Sequence, residues 1–380
     1  MRRTTFGRRG VVVGLAGLPI WLAADGIAAP GVATPRAGAR TIRYAVVDLG
    51  VLLGDDLSVA TSVNARGVAA GNSVDRATSV TRAVVFRDGR ATRLAVEPPL
   101  GSSSVNAINA AGDCAGFSER ADVPFRATVW VDGEPLDLPP LGGDQSMAFG
   151  IDAAGRVVGW AQPELPAIEP RACLWEDGEA VDLGTLSAGI RSVAYGINDA
   201  GDVVGASTVE LDDTQPAAEH AVLWRGGRAV DLGTIAGSYS AATAIGATGR
   251  IVGVSTTGRQ QRPFGPGTHA ALWDGRTPPV DLGTLGTGER SQATAVNAAG
   301  AIVGSSATTE ELPVGEIGQE HACLWEEGDR TPQDLNDLIA AGGGWVLERA
   351  NGINDAGQIV GVGYLMGKPR AFLLEPAVGG

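Results

Sequence analysis

Three histidines, His220, His269 and His321, are the only ones in the chain, and three imidazoles are a set that could hold zinc. Their setting points elsewhere. Each opens a copy of one segment, His-Ala-x-Leu-Trp, and four further copies open on Arg82, Arg126, Arg171 and Arg370. Equivalent positions in successive sheets lie roughly 10 Å or more apart, because that is the spacing of packed sheets. The His or Arg is therefore expected to cap its strand and meet an aspartate on the adjoining strand, as in Asp231 or Asp281. Hydrolysis of a glycosidic bond would need two converging carboxylates, and Asp152, Glu289 and Glu348 are the nominees. Cys114, Cys173 and Cys323 are an odd set, which leaves at least one thiol free; all three read as small buried apolar residues. The chain has no His-Glu-x-x-His, Gly-x-Ser-x-Gly or sialidase-type box and no Gly-x-x-x-x-Gly-Lys phosphate loop, so no metal, cofactor or nucleophile is expected.

These residues are carried by a repeat. In its clearest copy, Ser-Val-Ala-Tyr-Gly-Ile-Asn (192–198) leads through Asp-Ala-Gly to Asp-Val-Val-Gly-Ala-Ser (202–207), then to His-Ala-Val-Leu-Trp (220–224) and Ala-Val-Asp-Leu-Gly-Thr (229–234). The turn recurs at Asn64, Asn109, Asp152, Asn198, Gly246, Asn297 and Asn354, each followed three residues later by glycine. Asn and Gly tolerate positive φ, so each pair predicts a tight turn between strands. Four short apolar strands in a unit of roughly 40–50 residues define a propeller blade. The chain opens on a d-like strand, Tyr44 to Leu49, and closes on a c-like strand, Arg370 to Leu374. The expectation is an all-β fold: a seven-bladed β-propeller of four-stranded blades over residues 42–376. Its last blade is closed by the N-terminal strand d and C-terminal strands a–c, and 377–380 form a tail. Closure leaves no free sheet edge, so a monomer is expected.

At these segments the chain resembles the HAF-repeat family of extracellular bacterial proteins. The likeness is carried by His220-Ala221-Val222-Leu223-Trp224, Asp281-Leu282-Gly283-Thr284-Leu285-Gly286 and Gly352-Ile353-Asn354-Asp355-Ala356-Gly357. It covers roughly residues 42–376, although Phe stands at the third position of the eponymous segment only at Phe372. The resemblance implies an extracellular repeat protein and carries over no catalytic residue.

Residues 1–33 read as a signal peptide. Arg2, Arg3, Arg8 and Arg9 precede an apolar run from Val11 to Ala24, too short to span a membrane. Arg8-Arg9-Gly10-Val11-Val12 also fits a twin-arginine export pattern. Residues 34–41 read as a linker, and a secreted or cell-envelope location follows, without stable membrane insertion once the signal is removed. The formal charge of −14, from 43 acids against 29 bases, argues against nucleic acid as partner. Function is expected where the repeat breaks, on the face formed by the b–c and d–a loops. The b–c loops at 208–219 and 307–320 carry Asp212, Asp213, Glu310 and Glu311, read as solvating charge, beside Pro216 and Pro313. The d–a loops bring Asp144, Arg191, Tyr239, Glu289 and Arg290. The most divergent unit brings Trp345, Glu348 and Arg349 after Gly342-Gly343-Gly344. Trp345, Glu348, Arg349, Tyr195, Tyr239, Glu289 and Arg290 are the candidate ligand-binding residues. The expected function is a non-catalytic binding or scaffold module for an extracellular glycan, peptide or protein. The alternative is a glycan-active hydrolase or lyase working at the axial channel.

Overall fold

Seven times along the chain, four short strands pair antiparallel in sequence order, and each set of four forms its own sheet. The computed structural model describes residues 43–96, 101–119, 125–164, 169–187, 189–209, 218–261, 265–274, 278–308 and 320–377. Residues 1–33, read as a signal, and Asp212, Asp213, Pro216, Glu310, Glu311 and Pro313 lie outside them. Blade 1 runs Leu57–Val63, Ala69–Asp75, Val80–Arg87 and Arg90–Arg93 as strands a to d. Blades 2 to 6 repeat that order. Blade 7 takes strands a to c from Trp345–Ile353, Ile359–Leu365 and Lys368–Pro376, and its strand d is Tyr44–Asp48. The two ends of the fold thus meet in one sheet, with Tyr44 opposite Pro376 and Asp48 opposite Phe372. The chain is an all-β, seven-bladed propeller. Among the described residues the only helical element is a 3-10 turn, Leu335–Asp337.

The recurring sequence letters have separate physical jobs. In five of the seven a–b turns an asparagine side chain caps the loop, and in blade 3 Asp152 does so: Asn198 Oδ1 accepts from the backbone N–H groups of Ala200 (3.1 Å) and Asp202 (3.0 Å). The glycine that follows sits at positive φ, +82° at Gly201, where a side chain would be strained. The glycine of Val-Val-Gly answers a different demand. Each strand a carries a β-bulge at its middle, and the facing glycine of strand b lets the two backbones close in. A Cβ on Gly205 would stand 1.9 Å from the Val193 carbonyl oxygen. Strand c supplies the inter-blade core. Trp130, Trp175, Trp273 and Trp325 are buried and donate their indole N–H to carbonyls of the preceding blade's strand d or the loop after it (Ala95, Pro139, Leu232 and Leu282).

Serines at the start of strand a join the blades again. The hydroxyls of Ser58, Ser103, Ser146, Ser192, Ser240 and Ser291 each accept from a strand c N–H of the preceding blade, at 2.8–3.1 Å. Blade 7 departs from this pattern. Leu347 stands at that position, fully buried, and Asn336 of the 3-10 turn binds its backbone N–H (2.7 Å) and carbonyl (3.0 Å) instead.

The histidines do what their repeat position implies. His220, His269 and His321 lie 2.9, 2.8 and 2.6 Å from Asp231, Asp281 and Asp334 of the adjoining strand. Arg171 approaches Asp182 in the same way, at 3.4 Å. Two arginines depart from the expectation. Blade 1 has Arg93 where other blades have the aspartate, so Arg82 turns to Asp55 at 2.5 Å. In blade 7, Arg370 donates to the Asp56 carbonyl at 2.8 Å. Among the described residues no group of three or more His, Cys, Asp or Glu is placed to hold a metal ion. The three cysteines are free and buried; burial pushes the thiols of Cys114 and Cys173 up to about 12 and that of Cys323 well above its usual value.

Burial pushes the Asp334 carboxyl up, but the hydrogen bonds it accepts from His321 and Asn336 outweigh that and hold it below the usual aspartate range. A lowered native value stabilises the fold above the unfolded pKa of about 4, and that stability is lost as pH falls through the native value. Asp334→Asn should therefore melt below wild type at pH 7, with the gap narrowing as the pH falls toward about 3. A gap that is the same at both pH values would contradict this assignment.

Candidate functional site

The middle of strand a is where the repeat is broken most sharply. Its bulged residues are Thr61, Asn106, Phe149, Tyr195, Thr243, Thr294 and Asn351 in blades 1 to 7. Five of them hand a hydrogen bond to strand a of the next blade. Thr61 donates to the Val105 carbonyl (3.0 Å), Asn106 to Ala148 (2.7 Å), Thr243 to Ala293 (2.8 Å), Thr294 to Ala350 (2.7 Å) and Asn351 to Ala60 (2.8 Å). The links run around the ring except from blades 3 and 4. There the residues are aromatic, and the Phe149 and Tyr195 rings pack against each other at 5.5 Å between centroids, tilted by 56°. They join Trp160, Val193, Ala206, Ala241, Val254, Met147 and Tyr239 in one aromatic-rich cluster.

Three polar side chains share the variable-face side of that cluster. Arg191 leads into strand a of blade 4 (Ser192–Ile197), Glu219 lies in its strand c (Ala218–Arg225), and Tyr239 precedes strand a of blade 5 (Ser240–Ile245). Backbone contacts fix their relation, because Glu219 bridges to Tyr239 and its N–H donates to the Ser238 carbonyl (3.1 Å). Burial raises the Glu219 carboxyl above its ordinary value, with Arg191 opposing. Burial, and then the Glu219 charge, pushes the Tyr239 phenol up to about 12, and the same two causes raise Tyr195 further. The Glu219 Oε1 atom and the Trp160 indole N–H are buried without a hydrogen-bond partner. An unpaired buried polar group costs about 1–3 kcal/mol.

A second polar group lies at blades 6 and 7. Glu320 is the repeat counterpart of Glu219, since each precedes the histidine of its strand c. It is paired across the blade boundary, with Arg349 Nε at 2.9 Å from its carboxylate. Glu348 is the extra residue of a bulge beside it. Burial raises the Glu348 carboxyl, Arg349 opposes, and the Glu320 charge adds to the rise.

The sequence-derived candidates therefore separate. Tyr195 and Tyr239 meet, Glu348 and Arg349 meet Glu320, and Glu289 and Arg290 lead into strand a of blade 6 (Ser291–Val296). Trp345 packs edge-on against Phe372, 6.3 Å between centroids, on a hydrophobic core cluster. Asp144 lies in strand a of blade 3 (Gly142–Ile151). Asp152 sits in an a–b turn on the opposite face, 2.6 Å from Arg156, so it does not converge with Glu289 and Glu348. Glu219, Trp160 and Phe149 were not singled out by motif reading. Their signal is the column of bulged residues, where two aromatics stand against five Thr or Asn.

Fold and site together define a propeller with one regular face and one face where a repeat position changes its chemistry. A family described as proteins of unknown function, DUF3466, matches residues 184–372. Comparison with curated proteins finds no match. Among solved structures, the chain is similar to the β-propeller domain of the Trilobed protease from Pyrococcus furiosus. Identity there is 13% and the TM-score 0.49, covering 76% of this chain and 84% of that one. It is also similar to the acylaminoacyl peptidase of Pyrococcus horikoshii, at 14% identity and TM-score 0.47. That match covers 86% of this chain and 52% of the peptidase, so the chain spans about half of that protein's length.

Proposed function

We propose that the protein is an exported, monomeric binding module. It holds its ligand on the variable face of blades 3 to 5, without chemistry of its own. The observation that carries this reading is the pair Phe149 and Tyr195, which replaces two blade-to-blade hydrogen bonds with two rings packed against each other near Arg191, Glu219 and Tyr239. A position used for closure in five blades has been given up in two adjacent ones, and binding residues concentrate where a rigid scaffold is locally released from its structural role. The signal-like residues 1–33 and the resemblance to extracellular repeat proteins support export. A ligand that binds only the native state raises its melting temperature by mass action. A thermal-shift panel of cell-wall fragments, glycans, peptides and divalent cations should give a shift that Tyr239→Ala removes. A shift unaffected by Tyr239→Ala would place binding elsewhere and overturn this site.

The second reading, a hydrolase or lyase, draws on Glu348. A carboxyl raised by burial beside a carboxylate held by arginine is the division of roles that acid–base catalysis uses. It requires turnover of a glycan that Glu348→Gln abolishes.

A further inference from the structure

The repeat supplies an internal control for Glu219. In blade 6 its counterpart Glu320 receives a guanidinium from Arg349, at the strand a position of blade 7 that pairs with Val362. The equivalent position in blade 5, pairing with Val254, is Ala241. The donor that satisfies Glu320 thus has no counterpart at Glu219, whose Oε1 is left buried and unpartnered. The neighbouring aromatic cluster holds Trp160, 4% exposed, whose indole N–H is equally unpartnered. One orphaned acceptor therefore lies beside Tyr195 and Tyr239, and one orphaned donor lies in the cluster those rings share with small apolar side chains.

A ligand answering this arrangement has to donate as well as accept. Arg191 and Glu219 carry opposite charges within electrostatic reach of each other, so a cationic ligand also meets the guanidinium and an anionic one also meets the carboxylate. A hydroxyl group does both jobs without charge, and adjacent hydroxyls on a ring present an apolar C–H face that an aromatic side chain can cover. Resting on the binding reading given above, we infer that the ligand is a neutral sugar. Its hydroxyls donate to Glu219 and its ring lies against Tyr239.

The test is isothermal calorimetry at pH 7 with methyl glucoside, methyl galactoside, methyl mannoside and N-acetylglucosamine, and with glucuronate and glucosamine as charged controls. At least one neutral sugar is expected to bind, with both charged controls weaker. Glu219→Gln should weaken it by about tenfold or more, the effect of losing a charged hydrogen bond, and Tyr239→Ala should weaken it as well. Glu219→Gln retains the shape of the side chain, and an unchanged melting temperature without ligand shows that it folds. Binding of no neutral sugar, or binding indifferent to both substitutions, overturns the inference. A charged control or a peptide bound in a Tyr239-dependent manner would overturn the sugar class and leave the binding site standing.

Discussion

A chain beginning at residue 51 should lose the cooperative melting shown by a chain beginning at 40. The shorter chain lacks Tyr44–Asp48, the fourth strand of blade 7, and with it the pairing to Lys368–Pro376. Buried Tyr44 and Leu49 leave two different core clusters, so the damage reaches blades 6 and 1 as well. The backbone anchors of Arg43 and Tyr44 on the Leu338 carbonyl go too, as does the Arg43–Glu326 ion pair at 2.6 Å. What remains is an unpaired edge along Lys368–Pro376, which invites pairing with another chain. The expected result is a broad, early transition with concentration-dependent oligomers in light scattering. A truncated chain that stays monomeric and melts within a few degrees of the longer one would show that closure of blade 7 is not what holds the ring.

Gly205→Ala should be among the most damaging single-methyl changes in the propeller, with its counterparts Gly116, Gly159, Gly304 and Gly361. The added Cβ would lie 1.9 Å from the Val193 carbonyl oxygen and 2.9 Å from the Ala194 Cα. Both are backbone atoms and cannot rotate away. Overpacking of a fitted interior costs about 1–3 kcal/mol and more where nothing yields, so a loss of about 3 kcal/mol or more is expected. Gly178→Ala is the contrast. Its φ of +80° makes alanine strained, but nothing lies within 4 Å of the new Cβ, and the left-handed backbone alone costs about 1–2 kcal/mol. Denaturant melts of the two variants should rank them in that order. Equal losses would mean that positive φ, not the close approach at the bulge, explains why the repeat uses glycine.

Much of the fold is legible because every repeat restates it. Asn-x-x-Gly marks each a–b turn, and the d-like Tyr44 to Leu49 beside the c-like Arg370 to Leu374 fixes both the blade number and the closure. The His–Asp pairing at 220/231 and 269/281 is legible for the same reason, since strand register follows from hairpin length. Blade 1 escapes it because Arg93 removes the acceptor that Arg82 would need. The site is less legible. Glu219 reads as part of an acidic loop, and only pairing across blades shows that Arg349 serves Glu320 while Ala241 leaves Glu219 alone. Phe149 and Trp160 look like ordinary apolar strand residues. Their meaning depends on which neighbours donate around the ring, a property of the closed structure. Trp345 errs in the other direction: an aromatic after three glycines looks exposed, yet it packs on Phe372.

Hydrogen–deuterium exchange is the most direct test of the central claim that blades 3 to 5 hold the ligand. It should be run with and without the compound giving the largest thermal shift. Protection is expected in 189–195, 218–221 and 238–242, with blades 1 and 7 unchanged. Protection confined to 343–351, or to the a–b turns of the opposite face, would contradict the account and move the site away from the Phe149–Tyr195 break.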